Sequence, residues 1–402
     1  MPPNILWIVT TQWRAQAFGY AGDPNARTPF MDALAAASVT FTQAVTPHPF
    51  GPFARAALLT GIPCPANGIR DYFDPLPPDT QTIAHAMRER SYTTAFLGKW
   101  HLSRRDSGAK LVGEAHARAV VPLEHRGGFD FWEGFESGFL LNDPWLHGSR
   151  LASPVRFEGY QSDVVCQRAL SVLEGLRAPW FAVVSLEAPH PPYGAPSAGI
   201  SPRDPGSLEL RGNVPDEGAV AARARRELSG YYAHIEATDR AIGALVGSLP
   251  QDTIVVALSV HGDMHGSQGL FRKGWPHEES VRVPLLVRGL AQARRDARPI
   301  SLLDLPRLTT RWAEGDGSWD NLATREPFSR ISMPSVVRLP DQCDRVWAGV
   351  RTPERKLVLE EEGSPWLFFD LEADPMETRN LVNDPSRVAE IARLAALVNS
   401  RP

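Results

Sequence analysis

Basic and imidazole side chains follow the predicted β-strands, at the places where the strands end. Lys99 and His101 lie just after one β-rich apolar run. His190 and His261 each lie just after another. In an α/β sheet, ligands bind at the carboxyl ends of the strands. Lysine can bind anions, and histidine can exchange protons near neutral pH, so we expect ligand chemistry at these positions.

The stretch at residues 51–61 reads Gly-Pro-Phe-Ala-Arg-Ala-Ala-Leu-Leu-Thr-Gly and predicts the first turns of a buried helix. Pro52 is tolerated there because its missing N–H would be unbonded in any case. The N-terminus of such a helix directs free N–H groups and a partial positive charge at whatever precedes Gly51. Taken alone, the pattern is more typical of an ordinary core helix.

The elements that must position these residues alternate along the chain. Apolar, β-rich runs predict strands at residues 4–10, 93–97, 180–186, 253–260 and 283–287. Helical spacing predicts helices at residues 31–37, 80–89 and 223–249. The alternation predicts an α/β fold in which helices sandwich a central, largely parallel sheet. Residues 103–160 are rich in Gly, Pro and Arg, and we expect a surface excursion there.

The sequence pattern changes after residue 325. Short strand-like runs at 345–351, 356–360 and 366–370 precede an amphipathic segment at 385–398. These predict a small antiparallel subdomain closed by a helix. We therefore divide the chain into a larger domain at residues 1–325 and a C-terminal subdomain at residues 326–402.

Composition limits the class of protein. The chain has 402 residues, 43% hydrophobic and 22% charged, which is typical of a globular protein. A net charge of −4 argues against a nucleic-acid partner. No apolar run is long enough to span a bilayer, and no signal peptide is visible. Three scattered cysteines suit a reducing compartment, so we expect a cytoplasmic protein; the oligomeric state is left open.

Several motifs recur in the order of a known family. Residues 55–61 read Arg-Ala-Ala-Leu-Leu-Thr-Gly, residues 98–101 read Gly-Lys-Trp-His and residues 189–193 read Pro-His-Pro-Pro-Tyr. Lys273 follows a Gly-Leu-Phe run, and residues 371–381 read Leu-Glu-Ala-Asp-Pro-Met-Glu-Thr-Arg-Asn-Leu. These motifs resemble those of the type I sulfatases of the alkaline phosphatase superfamily, nearly end to end. The resemblance implies a sulfatase-like fold. It also implies that five residues hold the oxygens of a sulfate or phosphate ester: Arg55, Lys99, His101, His190 and Lys273.

The chain differs from the family at the positions of the nucleophile and of the metal ligands. Gly51 occupies the position of the cysteine that is oxidised to the formylglycine nucleophile. Thr11 and Gln12 stand where the family has Asp-Asp or Asp-Gln, and Val260 and His261 where it has Asp-His or Asp-Asn. A hard dication needs about six oxygen ligands, several of them carboxylates. We therefore expect neither formylglycine nor bound calcium or magnesium.

The remaining polar groups leave several functions open. Gln12, Gly51, His48 and His265 join the expected substrate-binding residues. His261, His101, His190 and Thr11 are the candidate catalytic residues, with His261 first. A transition metal held by the histidines is a weaker alternative.

We favour a metal-independent enzyme that acts on a small anion carrying sulfate, phosphate, phosphonate or carboxylate. The alternatives are a non-catalytic anion-binding protein and an ester hydrolase with another nucleophile, for which Thr11 is the nearest candidate.

Overall fold

A computed structural model describes residues 2–317 and 327–400 of the chain. Its strands, in chain order, are β1 (Ile5–Thr10), β2 (Ser38–Phe41), β3 (Ala44–Val45), β4 (Thr93–Lys99), β5 (Phe131–Phe135), β6 (Trp145–Gly148), β7 (Leu151–Arg156), β8 (Trp180–Ser185), β9 (Ile254–Ser259), β10 (Leu285–Arg288), β11 (Arg294–Asp296), β12 (Ile300–Ser301), β13 (Ser329–Met333), β14 (Trp347–Arg351), β15 (Arg355–Glu360) and β16 (Pro365–Asp370). Its α-helices are α1 (Pro29–Ala36), α2 (Gly51–Thr60), α3 (Ile83–Glu89), α4 (Glu114–Ala117), α5 (Gln161–Leu173), α6 (Gly218–Gly247), α7 (Glu278–Val281), α8 (Leu305–Ala313) and α9 (Val388–Asn399).

The large sheet is mixed, with a parallel centre. Its strand order is β11-β2-β10-β9-β1-β8-β4-β5-β6-β7. The five central strands, from β9 to β5, are parallel to one another. Strand β1 is fully buried, as expected for a strand covered on both faces. The predicted α/β fold with a largely parallel sheet is confirmed.

Alternate residues of β1 belong to different cores, because successive side chains of a strand point to opposite faces. Trp7 packs with residues of α2, α3 and α8 on one face of the sheet. Ile8 packs with residues of α1, α5 and α6 on the other. The sheet is therefore sandwiched by helices, and the carboxyl ends of its parallel strands are free to carry a site.

Residues 103–160 differ from the expected surface excursion. Strands β5, β6 and β7 lie there, and β5 pairs in parallel with β4 to extend the main sheet. Each of these strands has six residues or fewer, and Pro and Gly interrupt them, so no long periodic run marks them. Helix α5 also went unpredicted, although Val165, Ala169 and Val172 have helical spacing and face the core.

The C-terminal sheet is antiparallel, with strand order β13-β14-β15-β16. Helix α9 covers it and buries Ile391 and Leu394 against residues of β14, β15 and β16. The predicted antiparallel sheet and closing helix are confirmed. The proposed boundary between residues 325 and 326 lies outside the described residues, so the division into domains stays a prediction.

All three cysteines, Cys64, Cys166 and Cys343, are buried and unpaired. Within residues 2–317 and 327–400, we find no helix with the length and apolar character needed to cross a membrane.

Candidate active site

The chain turns sharply at the end of β1. Gln12 has a left-handed backbone, with φ 69°. The Thr11 hydroxyl donates to the Leu186 carbonyl at 2.8 Å, and the Gln12 side-chain oxygen accepts from Lys273 Nζ at 2.7 Å. Both residues are buried, so the end of β1 contributes neutral oxygens to the site.

Helix α2 begins at Gly51, with Pro52 in its first turn as predicted. One turn later, Arg55 is buried and its guanidinium points toward the strand ends. It donates to Thr11 Oγ1 at 2.7 Å, to Ser185 Oγ at 2.6 Å and to the Lys99 carbonyl at 3.3 Å. Burial lowers the pKa of Arg55 to about 10. Arg55 therefore holds three strand ends together through neutral acceptors.

Lys99 forms a buried ion pair at the end of β4. Its Nζ lies 2.6 Å from Glu187 Oε1, and both side chains are almost completely inaccessible. Burial lowers the pKa of Lys99 to about 8, although Glu187 acts in the opposite direction. The second oxygen of Glu187 is buried with no hydrogen-bond partner within the described residues. Glu187 is a member of the site that sequence reasoning missed, although it lies three residues before His190.

Lys273 carries the least compensated charge of the site. Its Nζ bonds only neutral groups, the Gln12 oxygen and, at 3.2 Å, Nε2 of His190. Burial lowers its pKa to about 7 despite the attraction of Asp263. His190 donates from Nδ1 to the Pro191 carbonyl at 2.7 Å, so its Nε2 is free to accept from Lys273.

The imidazole of His101 packs closely against Gly51. A Cβ added to Gly51 would lie 2.9 Å from His101 Nδ1, closer than ordinary van der Waals contact. That nitrogen is buried and has no hydrogen-bond partner within the described residues. Burial, with Arg105 and Lys99 nearby, holds the pKa of His101 well below its usual value, so the ring is neutral.

His261 follows β9 and is also neutral, because burial and Lys273 lower its pKa well below the usual value. It donates from Nδ1 to the Gly262 carbonyl at 2.9 Å. Its Nε2 has no partner in the described part of the chain. Asp263, two residues on, accepts hydrogen bonds from Gln12 and Tyr193. Like Glu187, it was missed although it lies only two residues after a recognised motif residue, His261.

Two predicted site residues lie elsewhere. The Nε2 of His48 accepts from the Cys64 amide at 2.9 Å, and its Nδ1 lies 3.1 Å from Ser332 Oγ. His48 therefore joins the end of β3 to β13, away from the pocket. His265 is buried behind Tyr193, 3.4 Å from its hydroxyl. Neither residue lines the cavity, so the structure does not bring these two predicted substrate-binding residues to the site.

The other predicted residues converge on one cavity of about 590 Å³. Seven of them line it: Thr11, Gly51, Lys99, His101, His190, His261 and Lys273. Arg55 and Gln12 lie beneath it, each bonded to a lining residue. Much of the remaining wall is apolar, and it includes Phe50, Tyr72, Leu111, Val112, Phe139 and Leu339. Sequence reasoning gave the polar floor but not this wall, whose residues come from loops that carry no motif.

The donors at the positions of the family's metal ligands do not suit a hard dication. Val260 supplies no donor atom, and Thr11 and Gln12 supply neutral oxygens that already bond neighbours. His261 is a nitrogen ligand, whereas calcium and magnesium prefer oxygen. The described residues also contain no group of three or more His, Cys, Asp or Glu side chains arranged to hold a metal.

The sequence model of the Sulfatase family matches residues 3–314. The chain belongs to the sulfatase family. An ulvan-active sulfatase of Formosa agariphila is 34% identical to it over 422 residues, which cover 95% of this chain and 78% of that sulfatase. A choline-sulfatase of Rhizobium meliloti is 27% identical, covering 99% of this chain and 86% of that relative.

Solved structures show the same sulfatase fold. One, in complex with its substrate D-glucosamine-2-N,6-O-disulfate, superposes with a TM-score of 0.82 at 19% identity, over 99% of this chain and 97% of that one. The phosphonate monoester hydrolase of Agrobacterium radiobacter gives 0.75 at 19% identity, over 98% and 94%. These likenesses confirm the predicted fold.

Proposed function

We propose that this sulfatase-family protein hydrolyses a small sulfate or phosphate ester by direct attack of water, without formylglycine and without calcium or magnesium. The observation that carries the proposal is that Gly51, which has no side chain, lines the cavity beside His101, whose Nδ1 has no hydrogen-bond partner within the described residues. A water molecule in the cavity that is bonded to this nitrogen would replace the family's nucleophile. The pocket then keeps its function after losing its nucleophilic side chain.

The cations of the pocket are suited to hold the anion. Lys99 and Lys273 line the cavity, and the N-terminus of α2 opens onto it at Gly51. Charge-assisted hydrogen bonds from such groups are roughly twice as strong as neutral ones. Lys273 has no carboxylate bonded to it, so an ester anion supplies the charge that it lacks.

The proton transfers use groups that are already in suitable states. The water oxygen attacks sulfur or phosphorus, and the neutral His101 accepts a proton from that water. The bond from sulfur or phosphorus to the ester oxygen breaks, and that oxygen takes a proton from Lys273, which titrates near pH 7. His190 orients Lys273 through its Nε2. We place His101 before His261 as general base because His101 borders Gly51.

The apolar wall favours an ester with an apolar or aromatic body. Phe139 stacks on His190 with ring centroids 4.4 Å apart, and Phe50 and Tyr72 also line the cavity. Burying such surface contributes about 25 cal/mol per Å² to binding. We propose aryl or alkyl sulfates and phosphates as the substrate class.

Thr11 is a poor alternative nucleophile. Its hydroxyl donates to the Leu186 carbonyl and accepts from Arg55, so no base is bonded to it. The proposal of a metal-free reaction rests on the donor set described above. The remaining alternative, a protein that binds the anion without converting it, is an outcome of the test.

The test compares turnover with binding. Purified protein is assayed with 4-nitrophenyl sulfate, 4-nitrophenyl phosphate and a phenylphosphonate monoester, and sulfate affinity is measured by calorimetry. We expect turnover of at least one ester, a loss of about hundredfold or more in His101→Gln, and little change in sulfate affinity. His48→Gln, outside the cavity, is the matched control and should retain activity. Sulfate binding without turnover of any ester would overturn the proposal in favour of a binding protein.

A further inference from the structure

A second polar cavity lies on the other side of the turn that follows β1. It has a volume of about 280 Å³ and is formed by the loop at residues 14–25, the end of β2, and residues 209–211 and 282–284. Within the described residues, it shares no lining residue with the candidate active site. Neither the motifs nor the proposed reaction uses it.

Arg14 is the central feature of this cavity. It is only 2% exposed, yet it forms no ion pair within residues 2–317 and 327–400. Its Nη2 donates to the Tyr232 hydroxyl at 3.3 Å, whereas Nε and Nη1 have no hydrogen-bond partner there. A buried charge with unbonded donors is unfavourable. Asp23 lies near the guanidinium without bonding it, so Nε and Nη1 are available to bond an anionic ligand.

Gln16 lines the same cavity, and its neutral side chain also has buried polar atoms without hydrogen-bond partners. It is 6% exposed, and neither its amide nitrogen nor its amide oxygen has a partner among the described residues. Leaving buried polar atoms unbonded costs about 1–3 kcal/mol for each group. A ligand that both accepts and donates hydrogen bonds would satisfy this amide.

The charges around the cavity favour an anion. Arg211, Arg282 and Arg295 line it beside Arg14. Arg211 pairs with Glu279, and Arg282 lies 3.4 Å from Glu278, but Arg295 has only the Tyr20 carbonyl, at 3.4 Å.

Two carboxylates also line the cavity. Asp23 already accepts from the Tyr232 hydroxyl at 2.5 Å and from the Asn25 amide at 2.9 Å, and Glu209 is exposed. Because Arg211 and Arg282 pair with Glu279 and Glu278, the arginines of the cavity that form no ion pair within the described residues are Arg14 and Arg295.

We infer that this cavity is a second binding site, for a small oxyanion whose phosphate or carboxylate group bonds Arg14 and whose hydroxyl or further oxygen bonds Gln16. The volume suits a ligand the size of phosphate or a small hydroxycarboxylic acid. Within the described residues, the cavity wall contains no histidine and no cysteine, and the proposal is limited to binding.

The experiment separates this site from the active site. Calorimetric titrations with inorganic phosphate and with citrate are run on the double variant Lys99→Met/Lys273→Met, which removes both lysines that line the active site. We expect one binding event, for phosphate if the site selects phosphates or for citrate if it selects carboxylates. Arg14→Met should weaken that event by about tenfold or more.

Rim variants keep the test valid if Arg14→Met fails to fold. Ala21→Glu adds a carboxylate at an exposed lining position and should also weaken binding. Arg295→Ser should weaken it several-fold, whereas the neighbouring Arg294→Ser, which is exposed and outside the cavity, should not. Absence of binding of either anion, or binding that Arg14→Met, Ala21→Glu and Arg295→Ser all leave unchanged, would overturn the inference.

Discussion

Two clusters of buried charges in this chain differ in how completely they are paired. The first, the Lys356 cluster, joins the C-terminal sheet to α7 and consists of Lys356, Arg351, Glu278 and Glu377. Lys356 Nζ lies 2.6 Å from Glu377 Oε1 and 2.8 Å from Glu278 Oε1. Arg351 Nη2 lies 3.1 Å from the other oxygen of Glu278. Each charge therefore contacts an opposite charge.

The second cluster is the candidate active site, and its charges and polar atoms are incompletely satisfied. Within the described residues, Lys273 bonds only neutral groups, and four buried atoms have no partner: Arg55 Nε, His101 Nδ1, Glu187 Oε2 and His261 Nε2. In the Lys356 cluster, Arg351 Nη1 has no hydrogen-bond partner there, but contact of every charge with an opposite charge suits a cluster that stabilises the fold. Incomplete pairing costs stability and suits a cluster whose remaining partner is a ligand.

The largest effect should come from breaking the Lys356 cluster. Lys356→Met leaves Glu278 and Glu377 buried without their shared cation, so we expect a loss of about 3–5 kcal/mol in the free energy of unfolding. Urea denaturation followed by circular dichroism measures this. Lys273→Met, in the incompletely paired cluster, should not lower the free energy of unfolding.

An exposed ion pair is the control for this comparison. Arg345 lies 2.7 Å from Glu360 near the surface, and Arg345→Met should change the free energy of unfolding by no more than about 1 kcal/mol. If Lys356→Met behaved like Arg345→Met, the distinction between the two clusters would be lost.

Anion affinity should depend on pH because of Lys273. Its pKa is lowered to about 7 and that of Lys99 to about 8. Only the protonated amines attract an anion strongly. Sulfate affinity should therefore fall as pH rises through 7 and 8, by up to about tenfold per unit for each proton lost. Sulfate is a suitable probe because its own charge is constant in this range.

The profile also identifies the group responsible. In Lys273→Met, the fall near pH 7 should disappear, while the fall near pH 8 remains. Sulfate affinity that stayed constant from neutral to alkaline pH would show that neither Lys99 nor Lys273 changes its charge in the active site.

Divalent cations should have the smallest effect. Because Val260 supplies no ligand and the Gln12 oxygen is bonded to Lys273, millimolar calcium or magnesium should leave the melting temperature and any turnover unchanged. A ligand that binds the native state raises its stability, so differential scanning fluorimetry with and without chelator detects binding. A rise of several degrees that chelator reverses would place a metal in the pocket.

The strands that carry the site could be predicted because each is a continuous apolar run. Strand β1 is buried throughout, and the helix at Gly51 begins where its proline indicates. Lys99, His190 and His261 could be grouped because the ends of parallel strands meet at one edge of the sheet, whereas Lys273 could be added only through the family resemblance.

What could not be predicted depends on contacts distant in sequence. His48 is held by Cys64 and Ser332, and the latter lies 284 residues away. The sequence also does not predict that Arg14 forms no ion pair within the described residues, because this depends on which side chains surround the buried guanidinium. The short strands of residues 103–160 could not be predicted because they are stabilised by pairing, β5 with β4 and then β6 and β7 in turn.

The most direct test of the account is the change of Gly51 to alanine. The added methyl group would lie 2.9 Å from His101 Nδ1 and would displace both the ring and the water that we propose as nucleophile. We expect turnover of the best ester to fall by about hundredfold or more. Sulfate affinity should remain within a few-fold, and overpacking against the buried ring should lower the free energy of unfolding by about 1–3 kcal/mol. A Gly51→Ala protein that binds sulfate and hydrolyses the ester at the unaltered rate would contradict the proposed mechanism.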